Sequence, residues 1–422
     1  MNINPVIKIN QRMYEGNESA FITTGENIYL YDSNGKKYID FCGGIWNVPF
    51  GYSNPTINNR ITEQLKRLPF CNLISNTADI QHHYAVRLCK LLGSSALLYT
   101  CSGSECIEAA IKTCRLYQTI KGSNRRDISA FNLSYHGTSY GAMSVSGVDN
   151  QAFNYYYPMV GGIKWISAPR DIENTELWLK AIEEHFRQNA DAMAGIIIEP
   201  VFGSGGIIPL PYAALKRLEE LCRENDILLV ADEVSTGFGR TGVPFVFKSY
   251  GIDPDLTCLS KGITNGYLPL GVLAFSSRVT GVFAEKHAVL EHFSSQGGNL
   301  LAIAAADAVL DLMENYEEFE VSSKGEYFKN ILKELLSPYK NVSVRGCGLM
   351  LAISFNKEPQ TMRFIDILAK IRKRGLLTYH FYNPGYNAGL SFFPPYTSSR
   401  MDLQDAAEKV VSILKHCPDI IC

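Results

Sequence analysis

Ile227-Leu-Leu-Val-Ala-Asp-Glu-Val-Ser-Thr-Gly-Phe-Gly-Arg-Thr-Gly242 is the stretch on which the reading of this chain turns. Its first five residues form an unbroken apolar run, the pattern of a strand buried on both faces of a parallel sheet. Asp232 follows at once. A carboxylate closing such a strand is costly to bury without a cationic partner. A second run, Leu256–Leu259, leads into Ser260-Lys-Gly262 and puts Lys261 at the same sheet edge, 29 residues on from Asp232. A lysine partly withdrawn from water has its ammonium form disfavoured and can act as an amine nucleophile. Taken singly, the plainer readings are a surface lysine or an ion pair with Asp232.

Working outward, five more short apolar runs alternate with amphipathic segments: Ala96–Thr100, Ile128–Phe131, Lys164–Ser167, Gly195–Ile198 and Leu270–Phe275. That grammar predicts an α/β fold, a mainly parallel seven-stranded sheet with helices on both faces. Before it, Glu26–Phe41 alternates apolar and polar residues around Ser33-Asn-Gly35, a β-hairpin pattern. After it, helices near 322–336, 362–374 and 403–416 with strands near 342–344 and 350–355 predict a smaller α+β unit. The expected division is an N-terminal segment 1–60 packing with the small domain, a large domain 61–310, and a small domain 311–422.

In an open parallel sheet, ligands bind beyond the carboxyl ends of the strands. After Ala96–Thr100 comes Ser102-Gly-Ser-Glu105, a capping-box pattern whose Gly103 lets a ligand approach the backbone. N–H groups at such a helix start can hold a phosphate, although an ordinary cap explains this motif alone. After Ile128–Phe131 comes Tyr135-His-Gly137, where the aromatic ring could stack on a flat heterocycle or simply pack. A phosphate cradle, an aromatic plate, a buried acid and a lysine at one sheet edge together describe the parts of pyridoxal phosphate.

The 422 residues carry a formal net charge of −2, which gives no electrostatic footprint for nucleic acid or an anionic membrane. There is no long uninterrupted apolar run, and the Met1–Lys8 start resembles neither a signal nor a transit peptide. Eleven cysteines without a CxxC pair, and histidines without HxxxH or HExxH spacing, argue against a disulfide framework and against a metal site. This usage leads to the expectation of a cytoplasmic protein.

At this point the sequence resembles the class III (ornithine/ω-amino acid type) aminotransferases of PLP-dependent transferase fold type I. The resemblance rests on Ser102-Gly-Ser-Glu105 with Glu108-Ala-Ala-Ile-Lys112, Tyr135-His-Gly137, Ile198-Glu-Pro200, Asp232-Glu-Val234 through Gly242, and Ser260-Lys-Gly262 followed by Gly266-Tyr-Leu-Pro-Leu-Gly271. It implies that Lys261 carries the cofactor as a Schiff base and shuttles a proton, and that Asp232 keeps the pyridine nitrogen protonated. Val234 and Tyr135 would cover the two ring faces, and Gly103 and Ser104 would bind the phosphate. His136 and Glu199, within the same motifs, join the expected cofactor contacts. Ser295, in Ser294-Ser-Gln-Gly-Gly-Asn299, would reach the phosphate of a partner subunit, so the implied assembly is a homodimer with shared active sites.

Two departures bear on substrate. Many relatives hold a substrate carboxylate with an arginine just before the Pro-Pro of the C-terminal domain; here Leu390-Ser-Phe-Phe-Pro-Pro395 places Ser391 there. Ser204 stands where ornithine-type enzymes have a glutamate that pairs with an arginine. Loss of the arginine removes a bidentate carboxylate clamp. The expectation is an amine donor and a carbonyl acceptor, one of which lacks a carboxylate at this place. Trp46, Tyr379 and Phe393 are candidate pocket residues, with small-domain core as the alternative for the aromatic cluster. PLP-dependent epimerase, aminomutase or decarboxylase chemistry, and more distantly a non-catalytic binding module, stay open, since the cofactor motifs do not decide which bond reacts.

Overall fold

The computed structural model describes residues 21–148, 153–356 and 361–421. Of the expected N-terminal segment, residues 1–20 lie outside this described part.

All seven predicted runs are strands of one sheet. We number only these: β1 (Ala96–Thr100), β2 (Asp127–Phe131), β3 (Ile163–Ile166), β4 (Met193–Ile198), β5 (Leu228–Asp232), β6 (Leu256–Leu259) and β7 (Gly271–Phe275). The order is β1-β7-β6-β5-β4-β2-β3, and β7 alone runs antiparallel to its neighbours. The period of two sorts the side chains between two apolar layers. Ile197, Leu228 and Val230 pack with helix Gly103–Ile120 on one face. Ile196, Ile198, Leu229 and Ala231 pack on the other, with Trp178 and Ile182 of helix Thr175–Asn189 and Leu215 and Leu218 of helix Tyr212–Glu224. Near-continuous apolar sequence is therefore what this sheet requires, and it leaves polar residues only where strands end.

Strands Tyr29–Asp32 and Lys37–Asp40 pair antiparallel across the predicted turn, and Lys37–Asp40 pairs parallel with Leu376–Leu377. A four-stranded antiparallel sheet follows in the C-terminal part: Val342–Cys347, Met350–Phe355, Asn387–Phe392 and Tyr379–Asn383, in that order. The last two strands were read from sequence only as an aromatic cluster, because Asn383-Pro-Gly-Tyr-Asn387 interrupts their alternation. One face of this sheet, through Leu351, Ile353, Leu390 and Phe392, packs on helices Val321–Leu336 and Arg400–Leu414. The other, through Met350, Ala352, Phe381 and Phe393, packs on Trp46, Val201 and Ile207. Among the described residues no helix is long and apolar enough to cross a membrane.

Candidate active site

The carboxyl ends of β5 and β6 place Asp232 and Lys261 side by side, because Asp232 pairs with Cys258 in parallel register. Lys261 opens a short 3₁₀ turn with φ of +47°, a left-handed backbone that a non-glycine residue adopts only under constraint. Its Nζ donates to Ser235 Oγ at 2.5 Å and lies 4.4 Å from the centroid of the Trp46 ring. Burial pushes the ammonium down to about 8, against the pull of Asp232 and Glu199, which favour the charged form. Some solvent contact remains on the residue as a whole, while burial around the amine disfavours its charge. An amine so placed is partly neutral at ordinary pH.

Asp232 is buried and uses both oxygens: Oδ2 meets His136 Nδ1 at 2.6 Å, and Oδ1 accepts the Val234 N–H at 3.0 Å. The second ring nitrogen of His136, Nε2, is buried without a partner among the described residues. Glu199, at the end of β4, accepts the backbone N–H groups of Tyr135 (2.8 Å) and Gly203 (3.1 Å). Burial, reinforced by the nearby Asp232 charge, pushes its carboxyl up to about 7, while His136 pulls the other way.

The helix start at Gly103 is wedged between the two segments expected to cover a ring. A Cβ on Gly103 would lie 3.0 Å from a Val234 methyl; one on Gly137 would lie 2.8 Å from Ser104 Cβ. Ser102 caps this helix by accepting the Glu105 N–H at 3.2 Å. The expected capping box is displaced by one residue, since the Glu105 carboxylate accepts the Cys101 N–H at 2.6 Å rather than that of Ser102. The other first-turn amides are left available for an anion.

Trp46 ends a turn, Gly43–Trp46, whose four residues all have φ between +56° and +68°. Such a left-handed turn costs roughly 1–2 kcal/mol for each non-glycine residue in it. It is held by Asp40, whose carboxylate accepts from Cys42 N, Gly44 N and the Tyr52 hydroxyl at 2.9, 2.8 and 2.5 Å. The indole stacks on Phe393, centroids 4.4 Å apart. A cavity of about 500 Å³ reaches Lys261 past Gly44, Ser102, Thr264 and Tyr267.

Ten of the predicted site residues thus form one continuous set: Lys261, Asp232, His136, Glu199, Tyr135, Val234, Gly103, Ser104, Trp46 and Phe393. Ser295 stands apart and is exposed, although its neighbour Ser294 meets Cys101 Sγ at 3.1 Å beside Ser102. Tyr379 lies directly across from Ser391 on the adjoining strand. Ser391 is buried and its hydroxyl has no partner among the described residues. Two contributors were not singled out from sequence. Ser235 lay inside the quoted motif without a role, and Asp40 had no signal beyond a polar residue ending a strand.

The chain matches the model of the aminotransferase class-III family over residues 12–414. It belongs to the class III aminotransferases. It is 32% identical over 393 residues to an acetylornithine aminotransferase of Aquifex aeolicus, a match covering 93% of this chain and 95% of the relative. A transaminase from the marine bacterium Virgibacillus superposes with a TM-score of 0.90 at 26% identity, covering 99% of this chain and 97% of that one. An amine transaminase from an uncultivated Pseudomonas species, solved with PLP bound, superposes with a TM-score of 0.85 at 28% identity, covering 97% and 98%. This class III member is accordingly a PLP-dependent transaminase of fold type I.

The set of residues fits that cofactor. A buried carboxylate suits a protonated ring nitrogen, a partly neutral lysine suits an aldehyde, and the wedge at Gly103 and Ser104 suits a phosphate at a helix start.

Proposed function

We propose that this aminotransferase moves an amino group between an amine donor and a ketone or aldehyde acceptor, at least one of which carries no carboxylate where Ser391 stands. The observation that carries the reading is the buried Ser391 hydroxyl, without a partner among the described residues, on the sheet face that also presents Ala352, Phe381 and Phe393 toward Trp46. A carboxylate brought there would meet no guanidinium from this position but the apolar side chains of Ala352, Phe381 and Phe393, while Arg345, across from Ala352, donates to Gly206 O.

Bound at this site, PLP supplies an electron sink that acidifies the C–H bond beside the substrate nitrogen. Lys261 Nζ would hold the cofactor and, as a partly neutral amine, would carry the proton from the substrate carbon. Ser235 Oγ aims that amine, and the Trp46 ring beside it keeps water away. Asp232, oriented by His136 and the Val234 N–H, would hold a proton on the ring nitrogen. Val234 and Tyr135 would cover the ring faces, and Gly103 and Ser104 would bind the phosphate. Ser295, exposed on its loop, serves the partner subunit's phosphate in a cytoplasmic homodimer with shared sites.

The test is a panel of amines and amino acids added singly to the loaded enzyme while its visible absorbance is followed. Simple amines are expected to bleach the band, and a ketone or aldehyde to restore it. Bleaching by α-amino acids alone, with the band restored by keto acids alone, would refute the substrate class.

A further inference from the structure

The Gly203–Gly206 loop touches the site on one side and residues of the C-terminal sheet on the other. Its first residue supports the site directly: the Gly203 N–H donates to Glu199, and a Cβ on Gly203 would lie 2.8 Å from the Trp46 ring. The next three residues are bound from the far side through their backbone carbonyls. Asn383 Nδ2 donates to Ser204 O at 3.1 Å, Asn387 Nδ2 to Gly205 O at 2.8 Å, and Arg345 Nε to Gly206 O at 2.8 Å. Asn383 also donates to Asn387 Oδ1 at 2.9 Å, so the two amides act as one unit.

The hairpin carrying these asparagines is itself fixed at its tip, where Asn132, just beyond β2, donates to the Tyr386 hydroxyl at 2.5 Å. Its other end continues to Phe393, which stacks on Trp46. The loop is therefore gripped on one side and presses on the indole on the other. Buried carbonyls need partners wherever the loop rests, so an alternative loop position would have to break all three bonds.

We propose that Asn383, Asn387 and Arg345 are positioning residues that lock the Gly203–Gly206 loop, and through it Trp46, as the back wall of the substrate pocket. This rests on the proposed transaminase site and adds what sets the shape of its substrate end. Ser204, where ornithine-type relatives carry a glutamate, contributes its carbonyl to this lock. Substrate selection here then depends on a wall held by neutral amide bonds and one arginine.

The test uses the full-length, cofactor-loaded enzyme with Asn387→Ala and, independently, Arg345→Lys. Two readouts are taken: hydrogen exchange of the 199–208 segment without substrate, and the half-saturating concentration against the limiting rate for bleaching by an amine that works on the parent enzyme. Removing one such hydrogen bond is expected to raise both exchange and half-saturation by roughly three- to tenfold. Cofactor content and the limiting rate should stay within about twofold of the parent, a loss smaller than one such bond. The proposal is overturned if exchange rises with half-saturation unmoved, if neither moves, or if only cofactor content and limiting rate fall, the pattern of a scaffold role. If Asn387→Ala does not fold, Arg345→Lys decides on the same readouts. Failure of every amine to bleach the parent enzyme would instead strike the proposed function.

Discussion

The buried amine of Lys261 sets the pH at which the enzyme captures its cofactor. Only the neutral amine attacks an aldehyde, and burial brings this group from the ordinary 10.5 down to about 8. At pH 7 that raises the neutral fraction by about 300-fold over an exposed lysine, to roughly one molecule in ten. Below about 8 each pH unit should change the capture rate about tenfold; above it the rate should level off. Cofactor-free enzyme mixed with PLP across pH 6 to 10 in a stopped-flow spectrophotometer would show this, with a simple exposed amine correcting for titration of PLP itself. The predicted profile bends near pH 8. A profile that keeps climbing to pH 10 would mean that the amine is not desolvated as the geometry requires, and the account of Lys261 would fail.

Three further outcomes follow from named contacts. Asp232→Asn keeps the shape that receives His136 and Val234 but loses the charge facing the cofactor. Steady-state kinetics should show kcat down at least about a hundredfold, near 3 kcal/mol, with PLP still bound; a near-wild-type kcat would remove Asp232 from its role. Ser391→Arg should raise the kcat/KM ratio for a keto acid over the matching methyl ketone by about 10- to 150-fold, the worth of a hydrogen-bonded charge. An unchanged ratio in a folded, loaded variant would show that position 391 does not face substrate. Glu199, pushed up to about 7 in the cofactor-free protein, favours the folded state below its unfolded value near 4.5 and loses that contribution as pH rises through about 7. Glu199→Gln stays neutral, so its melting temperature relative to the parent should climb between pH 5 and 8; a constant difference would contradict this.

The sheet was legible because a strand buried on both faces leaves only apolar residues until its end, so Asp232 and Lys261 stand out as what comes after. The same logic exposed Gly103 and Tyr135, whereas Glu199 came only with the family resemblance. It could not reveal Ser235, because any of the hydroxyls following Asp232 could have met the lysine, and only the turn geometry selects one. The left-handed turn at Gly43–Trp46 was equally hidden. Two glycines hint at unusual backbone, but Ile45 and Trp46 at positive φ run against local preference, in a turn that Asp40 holds through Cys42 N and Gly44 N. The aromatic stretch 379–393 left core and pocket undecided, because its strand period is broken at Asn383–Asn387. Pairing resolves it: Phe392 and Tyr382 turn to the helices, while Phe381 and Phe393 turn to Trp46.

The most direct test of the central claim is to reduce the loaded enzyme with borohydride, digest it, and locate the cofactor by mass spectrometry. The account predicts a single modified peptide carrying the cofactor on Lys261, and none in Lys261→Ala. Cofactor found on another lysine, or activity retained in Lys261→Ala, would contradict it.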